Sequence, residues 1–257
     1  MPSDTVQITS NTKIAENIYR MTLPRDGDIK AGQFYMLKAG TAATLLPRPI
    51  SVCDHAGGVL TFLYQAVGRG TAELAAMKPG DSLTLTGPLG NGFEVPGSAA
   101  PEALIIPQTG NIALVGGGIG IAPMLLTAKR LKDKGAHVTA ICGYRDETFL
   151  TAELESAADA LLIATESGGT GAKGFVTAIL EPEKYDAVFC CGPEPMMKAV
   201  VKLCAEKGTP VYLSLENKMA CGIGACLVCT CALKTGQNRR VCKDGPVFRG
   251  EDVDFDA

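Results

Sequence analysis

Histidine is scarce in this chain, with His55 and His137 the only two among 257 residues. Both read as surface or strand-end polar groups rather than acid–base catalysts. Positive charge is not in excess either. Twenty-four Lys and Arg face 27 Asp and Glu, giving a formal charge of −3, so no overall positive field exists to hold a polyphosphate backbone and a nucleic-acid partner is not expected. No apolar run reaches the ~18 residues needed for a membrane-spanning helix. Met1 to Ser10 also lacks a basic segment followed by an apolar one. These absences point to a soluble, cytoplasmic protein without membrane or nucleic-acid partners.

Hydrophobic residues make up 46% and charged residues 20%, too apolar for a disordered chain and ordinary for a globular one. The length allows one large domain or two, with a small appendage. Cysteine is what the chain has in quantity, ten in all, although a cytosolic protein of this size has no need of disulfide staples. Cys53, Cys142, Cys190 and Cys204 lie in apolar stretches and read as small core residues. Cys221, Cys226, Cys229, Cys231 and Cys242 crowd together near the C-terminus and look like a metal site, whose ligands must be mainly thiolate because neither histidine is near.

The first hundred residues read as short strands separated by turns: Val6 to Ser10, Ile18 to Leu23, Gln33 to Lys38, Ile50 to Cys53, Val59 to Val67 and Ser82 to Thr86. This pattern suggests a small antiparallel β-barrel. A helix is expected from Thr71 to Lys78, with Thr71 as its N-cap. After the proline-rich stretch 96–107 the texture changes. Strands at Ile112 to Val115, His137 to Tyr144, Leu161 to Thr165, Ala187 to Cys190 and Val211 to Ser214 alternate with helical stretches at Ala122 to Lys134, Thr148 to Asp159, Val176 to Leu180 and Glu194 to Glu206. Alternation of this kind implies a mostly parallel sheet. In the first of these helices Met124, Leu125 and Leu131 read as packing against the sheet. Beyond Leu215 the chain is rich in Cys and Gly and too short for its own core, so a metal centre is expected to organise it. The expected architecture is therefore α+β and multidomain, divided at 1–98, 99–214 and 215–257.

The strongest chemical signal is Cys221-x4-Cys226-x2-Cys229 followed by Cys242, the close spacing of plant-type [2Fe–2S] centres with a fourth ligand further on. The intervening Gly222-Ile223-Gly224-Ala225 is small enough to wrap closely and aim N–H groups at the sulfurs. Structural zinc is the alternative, but its usual double Cys-x2-Cys pattern is present only once. Cys231 competes with Cys229 as third ligand, and the reading takes Cys229. Next comes the run Leu114 to Pro123, where a strand enters Gly116-Gly117-Gly118-Ile119-Gly120 and then a helix, an arrangement that brings backbone and helix N-terminus to a pyrophosphate. A plain tight turn would look similar. Cys191-Gly192-Pro193-Glu194-Pro195-Met196 falls at the end of a later strand and so on the same carboxyl edge, where ligands bind. Earlier in the chain, Arg48-Pro49-Ile50-Ser51 offers a permanent cation and a hydroxyl, and Gly68-Arg69-Gly70-Thr71 opens a helix as a second candidate anion cradle. Each of these last two, alone, is as easily a surface turn.

Taken in chain order, Arg48 to Ser51, Gly68 to Thr71, Gly118 to Pro123 and Cys191 to Met196 resemble the ferredoxin–NADP reductase superfamily over residues 5–214. Gly87-Pro88-Leu89-Gly90-Asn91-Gly92-Phe93 and Ser214 to Cys226 narrow the resemblance to electron transfer subunits of dihydroorotate dehydrogenase B. That resemblance implies an FAD-binding barrel, an NAD-binding α/β domain and a small [2Fe–2S] domain. It implies that Arg48 contacts the flavin phosphates and Ser51 the ring, with Pro49 and Ile50 between them. Leu63, Tyr64 and Gln65 would line the flavin, and Gly70 and Thr71 would hold its pyrophosphate. Gly118, Gly120, Cys191, Gly192 and Pro193 would meet the nicotinamide nucleotide, and Cys221, Cys226, Cys229 and Cys242 would ligate the cluster. Val228 stands where the family has glycine, which bears on loop packing. Arg145 suits a 2′-phosphate and Glu166 repels one. NAD is expected.

The activity implied is that of an oxidoreductase subunit in pyrimidine (UMP) biosynthesis. Electrons would pass from the FMN of a separate catalytic subunit, through [2Fe–2S] and FAD, to NAD, with no catalytic acid or base from this chain. A heterotetramer of two chains of each kind is expected, with the surface around Cys221 to Cys231 covered by the partner. The nearest rival is a reductase running the opposite way, from NAD(P)H to an oxygenase, ferredoxin or hydrogenase partner. A more distant one is a zinc-stabilised nucleotide sensor.

Overall fold

A computed structural model describes residues 3–40, 44–93 and 106–257. The boundary expected at 98/99 lies outside them. In the first part, β1 (Ser3–Gln7), β2 (Ser10–Ala15), β3 (Ile18–Pro24), β4 (Phe34–Ala39), β5 (Arg48–Ala56), β6 (Val59–Gln65) and β7 (Ser82–Leu89) form one antiparallel sheet, ordered β1-β7-β4-β5-β6-β3-β2. The sheet curls into a half-barrel. Alternate residues point inward, as the two-residue period of a strand requires, so Met21 and Leu23, Leu60 and Phe62, and Leu83 and Leu85 are buried together. Between β6 and β7, α1 (Arg69–Ala76) seats Leu74 in the same core.

Two expectations here need correction. The single strand placed at Val6 to Ser10 is two strands. The chain leaves the β7 edge where Ile8 N–H donates to Asp81 O, and joins β3 where Thr9 N–H donates to Thr22 O. The first helix starts earlier than Thr71, with extended Gly68 as its N-cap. The Thr71 hydroxyl staples the turn from inside, accepting from Val67 N–H at 3.0 Å and Gly68 N–H at 3.1 Å.

The second part runs β8 (Asn111–Gly117), α2 (Ala122–Asp133), β9 (His137–Tyr144), α3 (Thr151–Ala157), β10 (Ala160–Thr165), β11 (Ala172–Lys173), β12 (Ala187–Cys191), α4 (Glu194–Lys207) and β13 (Val211–Ser214). The last part adds β14 (Thr230–Ala232), β15 (Asn238–Arg240) and β16 (Val247–Arg249). The second sheet is ordered β11-β10-β9-β8-β12-β13-β16 and is parallel except for β16, which pairs antiparallel with β13. Helix α3 is shorter than expected because Leu150 adopts a left-handed conformation, φ 64°, that bars an earlier start. Val176 to Leu180 is only a 3-10 turn at Val176–Ala178.

Strand order reverses between β8 and β12, and such a reversal opens a crevice at the carboxyl edge. Helix α2 sits between this sheet and the half-barrel, which explains why its first two turns are buried nearly all round rather than on one face. Leu126 reaches the half-barrel core while Met124, Leu125 and Leu131 pack on the sheet. Lys129 pairs with Asp54 at 2.6 Å, Arg20 pairs with Glu153, and Phe93 stacks on Phe189 with centroids 4.9 Å apart. The cysteine-rich segment is tied in as well: Asn91 N–H donates to Gly245 O at 2.7 Å, and Asn91 Nδ2 to Lys243 O at 2.9 Å. No helix among the described residues is long and apolar enough to cross a membrane.

Candidate cofactor sites

Two cavities meet at the centre of the molecule. One, of about 260 Å³, lies against the half-barrel and is lined by Pro49, Ile50, Ser51, Leu63, Tyr64 and Gln65, with Ala122 and Pro123 of α2 opposite. The β5–β6 ladder ends at Val52–Phe62, next to both of these runs, while Pro49, Ile50 and Ser51 themselves pair with Met36, Tyr35 and Phe34 of β4. Tyr64 is fixed from behind, donating its hydroxyl to Asn11 Oδ1 at 2.8 Å and stacking on Tyr19. Arg48, the residue before Pro49, lies against α1. Its Nη1 donates to Leu46 O at 3.0 Å, and a Cβ on Gly70 would stand 2.6 Å from its Nη2. The Arg48 motif and the Gly70-Thr71 motif thus converge on one corner.

The second cavity, about 440 Å³, opens in the crevice at the β8/β12 reversal and is lined by Ile119, Gly120, Gly192, Pro193 and Glu194. Gly120 must be glycine because a Cβ there would fall 2.5 Å from Cys191 O. Gly118 has a left-handed φ of 53° with open space where a Cβ would point. Cys191 itself is fully buried beneath the turn, its thiol pushed well up by loss of solvent and by the nearby Glu216. It is absent from the cavity's described lining.

The cavities share Gln65, Ile119, Leu215, Glu216 and Asn217. Glu216 and Asn217 stood in the Ser214 to Cys226 motif without an assigned role. Glu216 is open to the cavities yet crowded by protein, and this desolvation raises its carboxyl above the usual range. Asn217 Nδ2 donates to Thr230 O at 3.0 Å, tying the shared wall to β14.

The cysteines gather at the other end of this wall. The Cys221 thiol contacts that of Cys226, and the Cys242 thiol contacts that of Cys229 and lies in the field of Cys221. Backbone N–H groups converge on the sulfurs: Gly224 N–H donates to Cys242 Sγ at 3.1 Å and Cys242 N–H to Cys229 Sγ at 3.4 Å. Burial opposes ionisation of Cys221, but N–H groups of Ile223, Cys226 and Ala225 and the Cys226 thiol outweigh it and bring this thiol down to about 6. Burial, with the Cys229 contact, pushes Cys242 up to about 12. Among the described residues no three His, Cys, Asp or Glu side chains converge on a single ion position; the four sulfurs stand as two pairs. Cys231 faces elsewhere, into the lining of the larger cavity.

The loop lies on the half-barrel, where a Cβ on Gly222 would fall 2.7 Å from Met36 Cγ. Val228 is exposed, and the left-handed residue of the turn is its neighbour Leu227, φ 60°. Arg240 braces the loop, donating from Nε and Nη2 to Asp244 at 3.0 and 2.9 Å and from Nη1 to Gly224 O at 3.4 Å. Cys53, Cys142, Cys190 and Cys204 are buried among apolar side chains with their thiols raised by burial.

Comparison with known proteins places this arrangement. Residues 216–254 match the iron-sulfur cluster binding domain of dihydroorotate dehydrogenase B. Over 251 residues the chain is 47% identical to the dihydroorotate dehydrogenase B (NAD(+)) electron transfer subunit of Clostridium perfringens, covering 97% of each chain. The chain belongs to this family of electron transfer subunits. Among solved structures, that of the NADH-dependent reduced ferredoxin-NADP oxidoreductase superposes with a TM-score of 0.84 at 31% identity, covering 98% of this chain and 90% of that one. The ferredoxin NADP+ reductase of Neisseria gonorrhoeae, solved with bound FAD and NADP, shares the fold at a TM-score of 0.64 and 18% identity, over 84% of this chain and 94% of its own.

Proposed function

We propose that this chain is the electron transfer subunit of an NAD-dependent dihydroorotate dehydrogenase, working with a catalytic partner subunit in pyrimidine biosynthesis. The observation that carries the reading is the shared wall, Leu215 to Asn217, which borders both cavities and leads within a few residues to Cys221. A flavin exchanges single electrons and hydride while a two-iron cluster exchanges single electrons only, so FAD and [2Fe–2S] bound at these places supply the change from one-electron to two-electron transfer.

The residues present fit these groups. Ser51, Leu63, Tyr64 and Gln65 would border the flavin ring, with Pro49 and Ile50 completing the wall. Arg48 supplies a permanent cation beside Gly70 and Thr71 at the start of α1, where an FAD pyrophosphate would be held. Gly118, Gly120, Gly192 and Pro193 leave backbone room for a nicotinamide dinucleotide, with Cys191 acting from beneath by fixing the turn. The pairs Cys221 with Cys226 and Cys229 with Cys242 give four thiolates, two for each iron, and the converging N–H groups stabilise their negative charge. Glu216 puts a carboxyl group, not a cation, at the joint between the cavities, which disfavours phosphate there; no lysine or arginine lines either cavity among the described residues.

The partner's place follows from Ile223, Leu227 and Val228, which are apolar and exposed around the exposed Cys226. We assign this surface to contact with an FMN-containing catalytic subunit, in an assembly of two chains of each kind. The location that goes with this role is the cytoplasm, where the cysteines outside the cluster set stay reduced.

The test is the visible spectrum with flavin and iron analysis of anaerobically purified protein, followed by NADH titration. One FAD and two irons per chain, with flavin bleaching by NADH, are expected, and the complex with its partner should reduce NAD+ with dihydroorotate. Bound zinc without colour would overturn the reading.

A further inference from the structure

The larger cavity has a wall that comes from outside both sheets. Val253, Asp254, Phe255 and Ala257 line it opposite Gly192, Pro193 and Glu194. The start of this segment is firmly rooted. Lys234 N–H donates to Asp252 O at 2.9 Å, Asp254 N–H donates to Ala232 O at 3.0 Å, and Val253 bridges Leu233, so the backbone lies antiparallel beside the end of β14. Its far end is attached differently. One side chain of α4, Lys198, pairs with Asp256 at 3.0 Å and lies over the Phe255 ring, 5.7 Å from its centroid. The same ammonium reaches Glu194 at 3.4 Å, on the opposite rim of the cavity. Asp256 is 92% exposed and Glu194 61%. Contacts of this kind in solvent are individually weak and exchange readily.

Beyond Asp254 this wall is held only by the half-buried Phe255 ring and by the exchangeable contacts of Lys198. We propose that residues 255–257 form a strap on the nucleotide-side cavity, hinged at Val253–Asp254 and fastened by Phe255 and Lys198, which closes on a bound nicotinamide dinucleotide and slows its release. Phe255 supplies the apolar surface of the strap, half-buried against the cluster of side chains around Met197 and Val253. Asp254 lines the cavity beside it and turns back to accept the Asp256 N–H at 3.0 Å, which keeps the tip in register with Lys198. The proposal rests on the reading of this cavity as the nicotinamide site. It adds that the cysteine-rich segment contributes a moving part to nucleotide binding.

The test uses the full chain with its FAD and iron in place and NAD+ as the probe. Hydrogen exchange at residues 255–257 is followed with and without NAD+, and NAD+ affinity is measured by calorimetry in wild type, Lys198→Ala, Phe255→Ala and the milder Asp256→Asn. NAD+ is expected to slow exchange at the strap in wild type. Lys198→Ala and Phe255→Ala should remove that protection and weaken NAD+ about five-fold, the scale of one exposed ion pair with a cation–π contact. Flavin and iron content should be unchanged. Unaltered strap exchange on NAD+ binding, or variants that bind NAD+ as well as or better than wild type, would overturn the strap. A wild type that binds no NAD+ would instead overturn the reading of the cavity, and the strap with it.

Discussion

The guanidinium of Arg48 occupies the space that a side chain on Gly70 would need, with Nη2 2.6 Å from where a Cβ would stand. Two motifs 22 positions apart in sequence are therefore one device. Gly70→Ala should push Arg48 off the start of α1 and loosen FAD by about ten-fold or more, the scale of one charge-assisted hydrogen bond. Flavin released on dilution, read by fluorescence, is the measurement, with iron content as the control that should not change.

Gly120→Ala makes the matching prediction for the other cavity. The added methyl meets Cys191 O at 2.5 Å and must part the two loops that flank the crevice. NAD+ affinity should fall by about ten-fold, while FAD content stays near one per chain. Equal NAD+ binding by calorimetry would show that the loops can separate without loss of function.

The Arg240–Asp244 brace predicts how the cysteine loop responds to pH. Burial works against the Asp244 carboxylate, but the Arg240 side chain and backbone N–H outweigh it and hold its pKa below the ordinary value. A depressed carboxylate stabilises the fold above its unfolded pKa, and the contribution disappears as pH falls through the folded value. Iron retention should therefore be flat near neutrality and decline below about pH 4. Asp244→Asn should lose iron faster already at pH 7, followed by the fading of visible absorbance in the presence of a chelator.

The exposed apolar ring of Ile223, Leu227 and Val228 predicts the partner contact. Leu227→Asp should weaken assembly with the catalytic subunit by about 2 kcal/mol, as for a buried interface anchor, and Lys218→Glu should slow flavin reduction by that subunit. Both variants should keep their flavin and iron and bleach normally with NADH. Sedimentation gives the first outcome and anaerobic stopped-flow the second.

Much of this was legible in sequence because it was local. Strands His137–Tyr144 and Val211–Ser214 read directly from apolar runs, and glycines at 118, 120 and 192 marked the turns. What escaped depends on distant partners. The division of Val6 to Ser10 into two strands is decided by Asp81 and Thr22. The burial of α2 on both sides is decided by β5, which periodicity within the helix cannot reveal. Likewise the places of Met36 beneath the cysteine loop and of Phe255 beside the larger cavity have no local signature. The Arg240–Asp244 pair did have one, a four-residue spacing of opposite charges beside Cys242.

Strand β16 occupies the side of β13 that would otherwise present bare backbone to solvent. It reaches that place through the turn carrying Cys242 and Asp244, so whatever grips Cys242 also seats the strand. Displacement of β16 would leave the row Val211–Ser214 as a short apolar template open to pairing with another molecule, so the strand doubles as a guard against aggregation.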